Sequence, residues 1–190
     1  MRLFIAVDLP NDIRKALIDI EHKLKPLTDS ARWVAPESIH ITLKFLGEVP
    51  DRKMDDIDAA LAGLTWKPFT VTVHGVGFFP GPRSPRVFWA GMEVPTMQGL
   101  AERLDSRMER LGFEKEKRAF RPHITLARAR DTRMDTALVT AASEYAEHDF
   151  GSFTADRIVL VESTLKPAGA VYHKIKEYLL EPRSASSGSQ

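Results

Sequence analysis

The chain has 190 residues, with 27 basic against 26 acidic side chains and a net charge of +1. That balance excludes a strongly basic nucleic-acid coat, so a phosphate-rich partner has to be met by a local basic patch. The absence of cysteine excludes disulfides, thiolate nucleophiles and Cys-based zinc sites, and no run approaches the roughly 20 apolar residues of a membrane helix, so a soluble cytoplasmic protein is expected.

In chain order, Leu3 to Val7 reads as a short buried strand ended by Asp8-Leu9-Pro10. Ile13, Leu17, Ile20 and Leu24 then recur at helical spacing, and Pro26 stops that helix. Trp33-Val34 is extended. From Ile39 to Leu46, Ile39, Ile41, Leu43 and Phe45 alternate with His40, Thr42 and Lys44, the period of a half-buried strand. A second helix is expected between Asp51 and Leu64, and Phe69 to Val76 alternates as a strand. The Gly- and Pro-rich stretch from Gly77 to Pro85 reads as a loop, and Arg86 to Gly91 as a strand. Met97 to Leu111 is a third helix stopped by Gly112, Pro122 to Arg128 another strand, and Met134 to Tyr145 a fourth helix. Two strand runs follow within Phe150 to Leu165, then a last one at Val171 to Leu179. The small polar residues from Ser184 onward predict a disordered tail over residues 183–190, which leaves residues 1–182 as the folded unit. Neighbouring strands joined without helices argue for an α+β fold with antiparallel sheets.

One repeat stands out: His40-Ile41-Thr42-Leu43 recurs as His123-Ile124-Thr125-Leu126, each copy preceded by a proline, Pro36 and Pro122. In a strand, the His and the Thr of each copy share one face, and the Ile and Leu anchor the other. Two such strands across a cleft would set two imidazoles and two hydroxyls around one small ligand. Phosphodiester chemistry suits that set. A neutral His takes a proton from the attacking oxygen, a protonated His gives one to the leaving oxygen, and an imidazole pKa near 6.5 serves both roles. Thr hydroxyls can donate to the non-bridging phosphate oxygens. For His22, His74, His148 and His173 a structural role is the better reading. A zinc site lacks ligands, since the repeat supplies only two His with no further His or Cys at ligand spacing.

The paired His-x-Thr-x motif resembles the 2H phosphoesterase superfamily, and within it the bacterial and archaeal RNA 2′,3′-cyclic phosphodiesterase branch, historically called 2′-5′ RNA ligases. The likeness runs from Arg2-Leu3-Phe4-Ile5-Ala6 through Trp33-Val34, Pro36-Glu37-Ser38, Gly77-Phe78-Phe79-Pro80 and Pro85-Arg86-Val87 to Ser163, Gly169 and Tyr172. It implies two pseudo-symmetric lobes, each with a small antiparallel sheet and flanking helices, with the motifs facing each other in the cleft between them. It implies hydrolysis of RNA 2′,3′-cyclic phosphate ends to 2′-phosphates without metal or cofactor, and in some relatives the reverse 2′-5′ ligation. It also implies His40 as proton donor and His123 as proton acceptor, roles that the symmetric repeat does not distinguish. Thr42 and Thr125 would bind phosphate.

Further candidates carry less. Lys44 shares the His40 and Thr42 face by alternation, and Arg121 shares that of His123 if the strand already runs there. Arg128 falls on the opposite face, and only a bulge or the strand end would bring it to the phosphate, although the family pattern keeps it in view. Arg83, Arg86, Arg118 and Arg130 are candidates for the basic patch. Phe78, Phe79 and Trp33 suit either base stacking or core packing. The chain lacks a phosphate-binding Gly-x-x-x-x-Gly-Lys loop and a Lys-x-Asp-Gly nucleophile motif, which disfavours an ATP-dependent ligase. Two readings stay beside the main one: a 2H phosphoesterase for another small cyclic nucleotide, and a non-catalytic RNA- or nucleotide-binding module. A monomer is the default expectation, because one chain supplies both motifs.

Overall fold

The computed structural model describes residues 1–166 and 169–180; the expected tail lies outside them. Alternation and helical spacing produce the elements they predict. Strand β1 spans Arg2–Asp8 and helix α1 Asn11–Leu24, followed by β2 (Ala31–Trp33) and β3 (His40–Glu48). Helix α2 spans Met54–Ala62, and the expected first turn at Asp51–Lys53 is a 3-10 turn instead. Then come β4 (Phe69–Phe79), β5 (Val87–Glu93), α3 (Met97–Arg110), β6 (Ile124–Ala129), α4 (Thr136–Ala142), β7 (Asp149–Ala155), β8 (Arg157–Lys166) and β9 (Gly169–Leu179). Strand β4 runs on to Phe79, into the stretch expected to be loop. A Gly–aromatic pair accommodates this. Gly77 lies opposite Trp89, and a Cβ there would come within 2.4 Å of the indole.

The strands join in one antiparallel path, β7-β4-β5-β6-β3-β1-β8-β9, with β2 attached to β6. Its two halves mirror each other. One runs outward from β3 through β1, β8 and β9, the other from β6 through β5, β4 and β7. Their seam is thin. The registered pair between β3 and β6 is Ile41 with Ile124, the second residue of each motif. The repeat therefore lies at the junction of the halves.

The apolar side of each motif faces the helices. Ile41, Leu43, Ile124 and Leu126 are at most 5% exposed and belong to the main core. Helix α3 packs on β3 and α2, while α1 packs on β7 and α4. The faces that bury these helices are the expected ones: Ile13, Leu17, Ile20 and Leu24 of α1, and Met97, Leu100, Leu104 and Met108 of α3. Each such side chain contributes roughly 2 kcal/mol of burial. With the helices on that face, the polar face of β3 and β6 is left to form a cleft. No helix among the described residues is long and apolar enough to cross a membrane.

Candidate active site

His40, Thr42, His123 and Thr125 line one small pocket together with Val34, Ser38, Phe45 and Arg128. Its volume is about 50 Å³, on the scale of a small anion rather than a base, given that a liquid water occupies about 30 Å³. The pocket opens into a groove of about 640 Å³ that shares Thr42, Phe45, His123 and Arg128 with it and adds Phe79, Arg118, Phe120 and Arg121. That size suits a nucleoside.

The two imidazoles are held in the same way. His40 Nδ1 lies 2.7 Å from the Ser38 carbonyl oxygen, and His123 Nδ1 lies 2.7 Å from that of Arg121. A carbonyl only accepts, so Nδ1 carries the proton in both rings and each Nε2 is the nitrogen that can exchange a proton with a ligand. The geometry follows from the local sequence, since each acceptor is two residues before its His, in the proline-containing segment that leads into the strand. Arg14 of α1 braces the first turn. Its Nη1 donates to the carbonyls of Pro36 and Ile39 at 2.6 and 3.0 Å, and its Nη2 donates to Asp8 at 2.7 Å. Nothing in the pattern of α1 singles out that arginine.

The surroundings of the two rings differ. His40 stacks on Phe4 at 4.7 Å between centroids and meets the edge of Tyr172 at 5.1 Å, and the Thr42 hydroxyl lies 3.0 Å from its Nε2. Burial among these groups lowers the His40 pKa to about 4. The Ser38 carbonyl and Asp8 pull it upward, while Arg14 and Arg128 add to the lowering. His123 sits edge-on to Phe79 at 5.1 Å, at the mouth of the wider groove.

The LigT like Phosphoesterase family model matches residues 7–89 and 93–172. The chain belongs to the LigT-like phosphoesterase family. It is 35% identical to the RNA 2′,3′-cyclic phosphodiesterase of Archaeoglobus fulgidus, over 94% of this chain and 99% of that one. It is 36% identical to the one of Thermus thermophilus, over 95% and 90%. Among solved structures, a Thermus thermophilus protein superposes with a TM-score of 0.81 at 32% identity, covering 97% of this chain and all of that one. E. coli LigT complexed with 3′-AMP superposes with a TM-score of 0.76 at 30% identity, covering 94% and 97%.

Within this LigT-like chain, two bulges decide which of the weaker candidates reach the cleft. On β3, Thr42 pairs with Ala6 and Lys44 with Ile5, so Leu43 is an extra residue. On β6, Thr125 pairs with Trp89 and Ala127 with Phe88, so Leu126 is extra at the same place in the repeat. A bulge inserts one residue and inverts the alternation beyond it. Strict alternation therefore fails for Lys44, which is 6% exposed on the core side. There it pairs with Asp105 of α3 and donates to the Glu114 carbonyl at 2.6 Å. Burial alone would raise the Asp105 pKa, but the hydrogen bonds from Lys44 and the Glu116 amide bring it below its ordinary value. The Lys44 ammonium is thus held by α3 and the Glu114 carbonyl and does not line the small pocket, although the residue still forms part of the wall of the wider groove. Phe45, expected in the core, is 61% exposed and lines the pocket.

The same inversion brings Arg128 into the pocket. Arg121 precedes β6, so strand alternation does not govern it. It is exposed along the groove, and its backbone carbonyl orients His123. Trp33 and Phe78 both pack on Phe88, at 5.9 and 5.1 Å between centroids, which is the core reading of the two candidates, while Phe79 lines the groove. Arg118 also lines the groove, whereas Arg83 lines a separate surface hollow with Asp131 and Asp135. His148 packs against Tyr145 and Phe150, a structural setting. Phe45 could have been found by aligning the copies two residues further, because Phe45 and Arg128 both stand five residues after their His.

Proposed function

We propose that this protein hydrolyses 2′,3′-cyclic phosphate ends of RNA to 2′-phosphates by two-histidine acid–base catalysis. The observation that carries the reading is the pair of imidazoles in one anion-sized pocket, each with Nδ1 committed to a backbone carbonyl and Nε2 turned to the pocket, that of His40 meeting the Thr42 hydroxyl. Two proton-transfer groups with two hydroxyls are what opening a cyclic phosphodiester requires, whereas a binding module has no use for the pair. The names of the relatives, RNA 2′,3′-cyclic phosphodiesterase, support the substrate class.

In the proposed step, His123 Nε2 takes a proton from water as the water oxygen bonds to phosphorus. The bond from phosphorus to O3′ breaks, and His40 Nε2 passes its proton to O3′, leaving the phosphate on O2′. Thr42 and Thr125 donate to the non-bridging oxygens, and the Arg128 guanidinium balances their charge. The resemblance assigns His40 as the acid, and burial alone works against that role. Burial holds the imidazolium at a disadvantage, and a phosphate anion against Nε2 offsets this, so the ring carries a readily surrendered proton when substrate is bound. The reverse reaction, 2′-5′ joining, would use the same two groups in exchanged roles. No metal takes part in this scheme.

The test is turnover of a 2′,3′-cyclic-ended oligoribonucleotide in EDTA, with the product identified by phosphorus NMR. Activity with a 2′-phosphate product is expected. His40→Ala and His123→Ala should each lose about 10²–10⁴-fold in kcat. Full activity in either variant defeats the mechanism, and dependence on a divalent ion defeats the metal-free scheme.

A further inference from the structure

We propose that Arg32, side by side with Arg128, forms a second phosphate subsite that takes the phosphodiester next to the cyclic end of an RNA chain. The inference rests on the function proposed above and adds a residue that the repeat does not contain.

Register places the two arginines. Strand β2 pairs with β6 so that Ala31 lies opposite Ala129, Arg32 opposite Arg128 and Trp33 opposite Ala127. Strand β5 continues the rows, with Val87 opposite Arg128 and Phe88 opposite Ala127. Opposed residues of an antiparallel pair point to the same face, with Cβ atoms roughly 5 Å apart. The row Trp33, Ala127 and Phe88 is the core row, as the packing of Trp33 on Phe88 shows. Arg32, Arg128 and Val87 therefore form the cleft row. An independent check comes along β2 itself, because Val34, two residues beyond Arg32 and on the same face by alternation, lines the catalytic pocket.

Like charges directly opposed across a strand pair cost stability, and a fold usually offsets them with a carboxylate. Here neither guanidinium enters an ion pair among the described residues, and both side chains are exposed. A bound anion would offset the repulsion. Arg128 reaches the pocket that holds the two histidines, so its partner across the strand lies one step outward on the same face. Cross-strand neighbours stand roughly 5 Å apart at Cβ, and two arginine side chains splaying from there can reach neighbouring phosphates of an extended ribose–phosphate chain. With the cyclic phosphate among the histidines and the terminal base in the aromatic groove of Phe45, Phe79 and Phe120, the chain leaves along β2 and its next phosphate meets Arg32. The near-zero net charge of the protein makes such a local pair the means of preferring a polymer end over a free nucleotide.

Equilibrium binding of products tests this apart from turnover. The probes are adenosine 2′-phosphate, adenosine 2′,5′-bisphosphate and the dinucleotide ApA carrying a 2′-phosphate, each titrated calorimetrically. The dinucleotide should bind roughly 10-fold or more tightly than adenosine 2′-phosphate, the scale of one charge-assisted hydrogen bond. Its affinity should also fall more steeply with salt, by about 0.7 in the slope of log affinity against log salt. Arg32→Gln should remove both differences, and Arg32→Lys should keep part of them. A dinucleotide no tighter than adenosine 2′-phosphate, or an advantage that survives Arg32→Gln, overturns the subsite. An advantage held by the bisphosphate alone assigns the site to a nucleotide 5′-phosphate and overturns the RNA-chain reading. Failure of the catalytic proposal would appear separately, as absence of turnover by the unaltered protein.

Discussion

Acidification should weaken the fold through His40, and the amount follows from the site. An imidazole in the unfolded chain titrates near 6.5, while burial against Phe4 and Tyr172 brings His40 to about 4 in the folded state. The folded state thus binds fewer protons than the unfolded state between those two values. Stability therefore rises with pH across that window. The contribution is intact above pH 6.5, falls as the pH drops toward 4, and is flat below. A gap of about 2.5 pH units, at about 1.4 kcal/mol each, makes the loss roughly 3 kcal/mol. Urea denaturation of the protein and of His40→Gln at several pH values isolates the effect, because every other titrating group is common to both. The unaltered protein should lose roughly 3 kcal/mol more than the variant between pH 6.5 and 4. NMR titration of the His40 ring should place its pKa near 4 in the protein alone and higher with adenosine 2′-phosphate bound. Parallel stability curves for the two proteins, or a His40 midpoint near 6.5 without ligand, would refute the burial argument.

Three further outcomes are expected. Thr42→Val and Thr125→Val, which keep the shape but remove a donor, should each reduce kcat on a cyclic-ended substrate by roughly 10²-fold or more, with KM less affected; an equal loss carried entirely by KM would mean that the hydroxyls bind ground state and transition state alike. Lys44→Met breaks a buried pair and leaves the Asp105 carboxylate of α3 without its cation, so urea denaturation should show a loss of about 3 kcal/mol, and an unchanged midpoint would contradict the structural role given to Lys44. Gly77→Ala puts a Cβ 2.4 Å from the Trp89 indole, which should cost about 1–3 kcal/mol in thermal or urea unfolding. It should also slow turnover, because Trp89 backs Phe79, which in turn meets His123.

The α+β class, the helices of Ile13–Leu24 and Met97–Met108, the two motif strands and the His–Thr pairing on each were legible from residue order, because period two and period 3.6 are properties of a single element. The likeness to the 2H phosphoesterases was legible as well, since two intact copies of a four-residue motif form a specific pattern. The placements of Lys44 and Phe45 were not, and Arg128 was legible only as a candidate that a bulge could bring round. Each depends on an extra residue, Leu43 or Leu126, that is defined only by what the neighbouring strand places opposite it. Arg14 and Arg32 were invisible for a similar reason, one acting across from α1 onto the turn before His40, the other acquiring its partner through pairing with β6. The sequence by itself determined the chemistry of the site, two imidazoles and two hydroxyls on alternating strands. Tertiary structure alone decided that the strands meet at Ile41 and Ile124 and which charge faces the pocket, because strand register is a contact between distant segments that no local pattern contains.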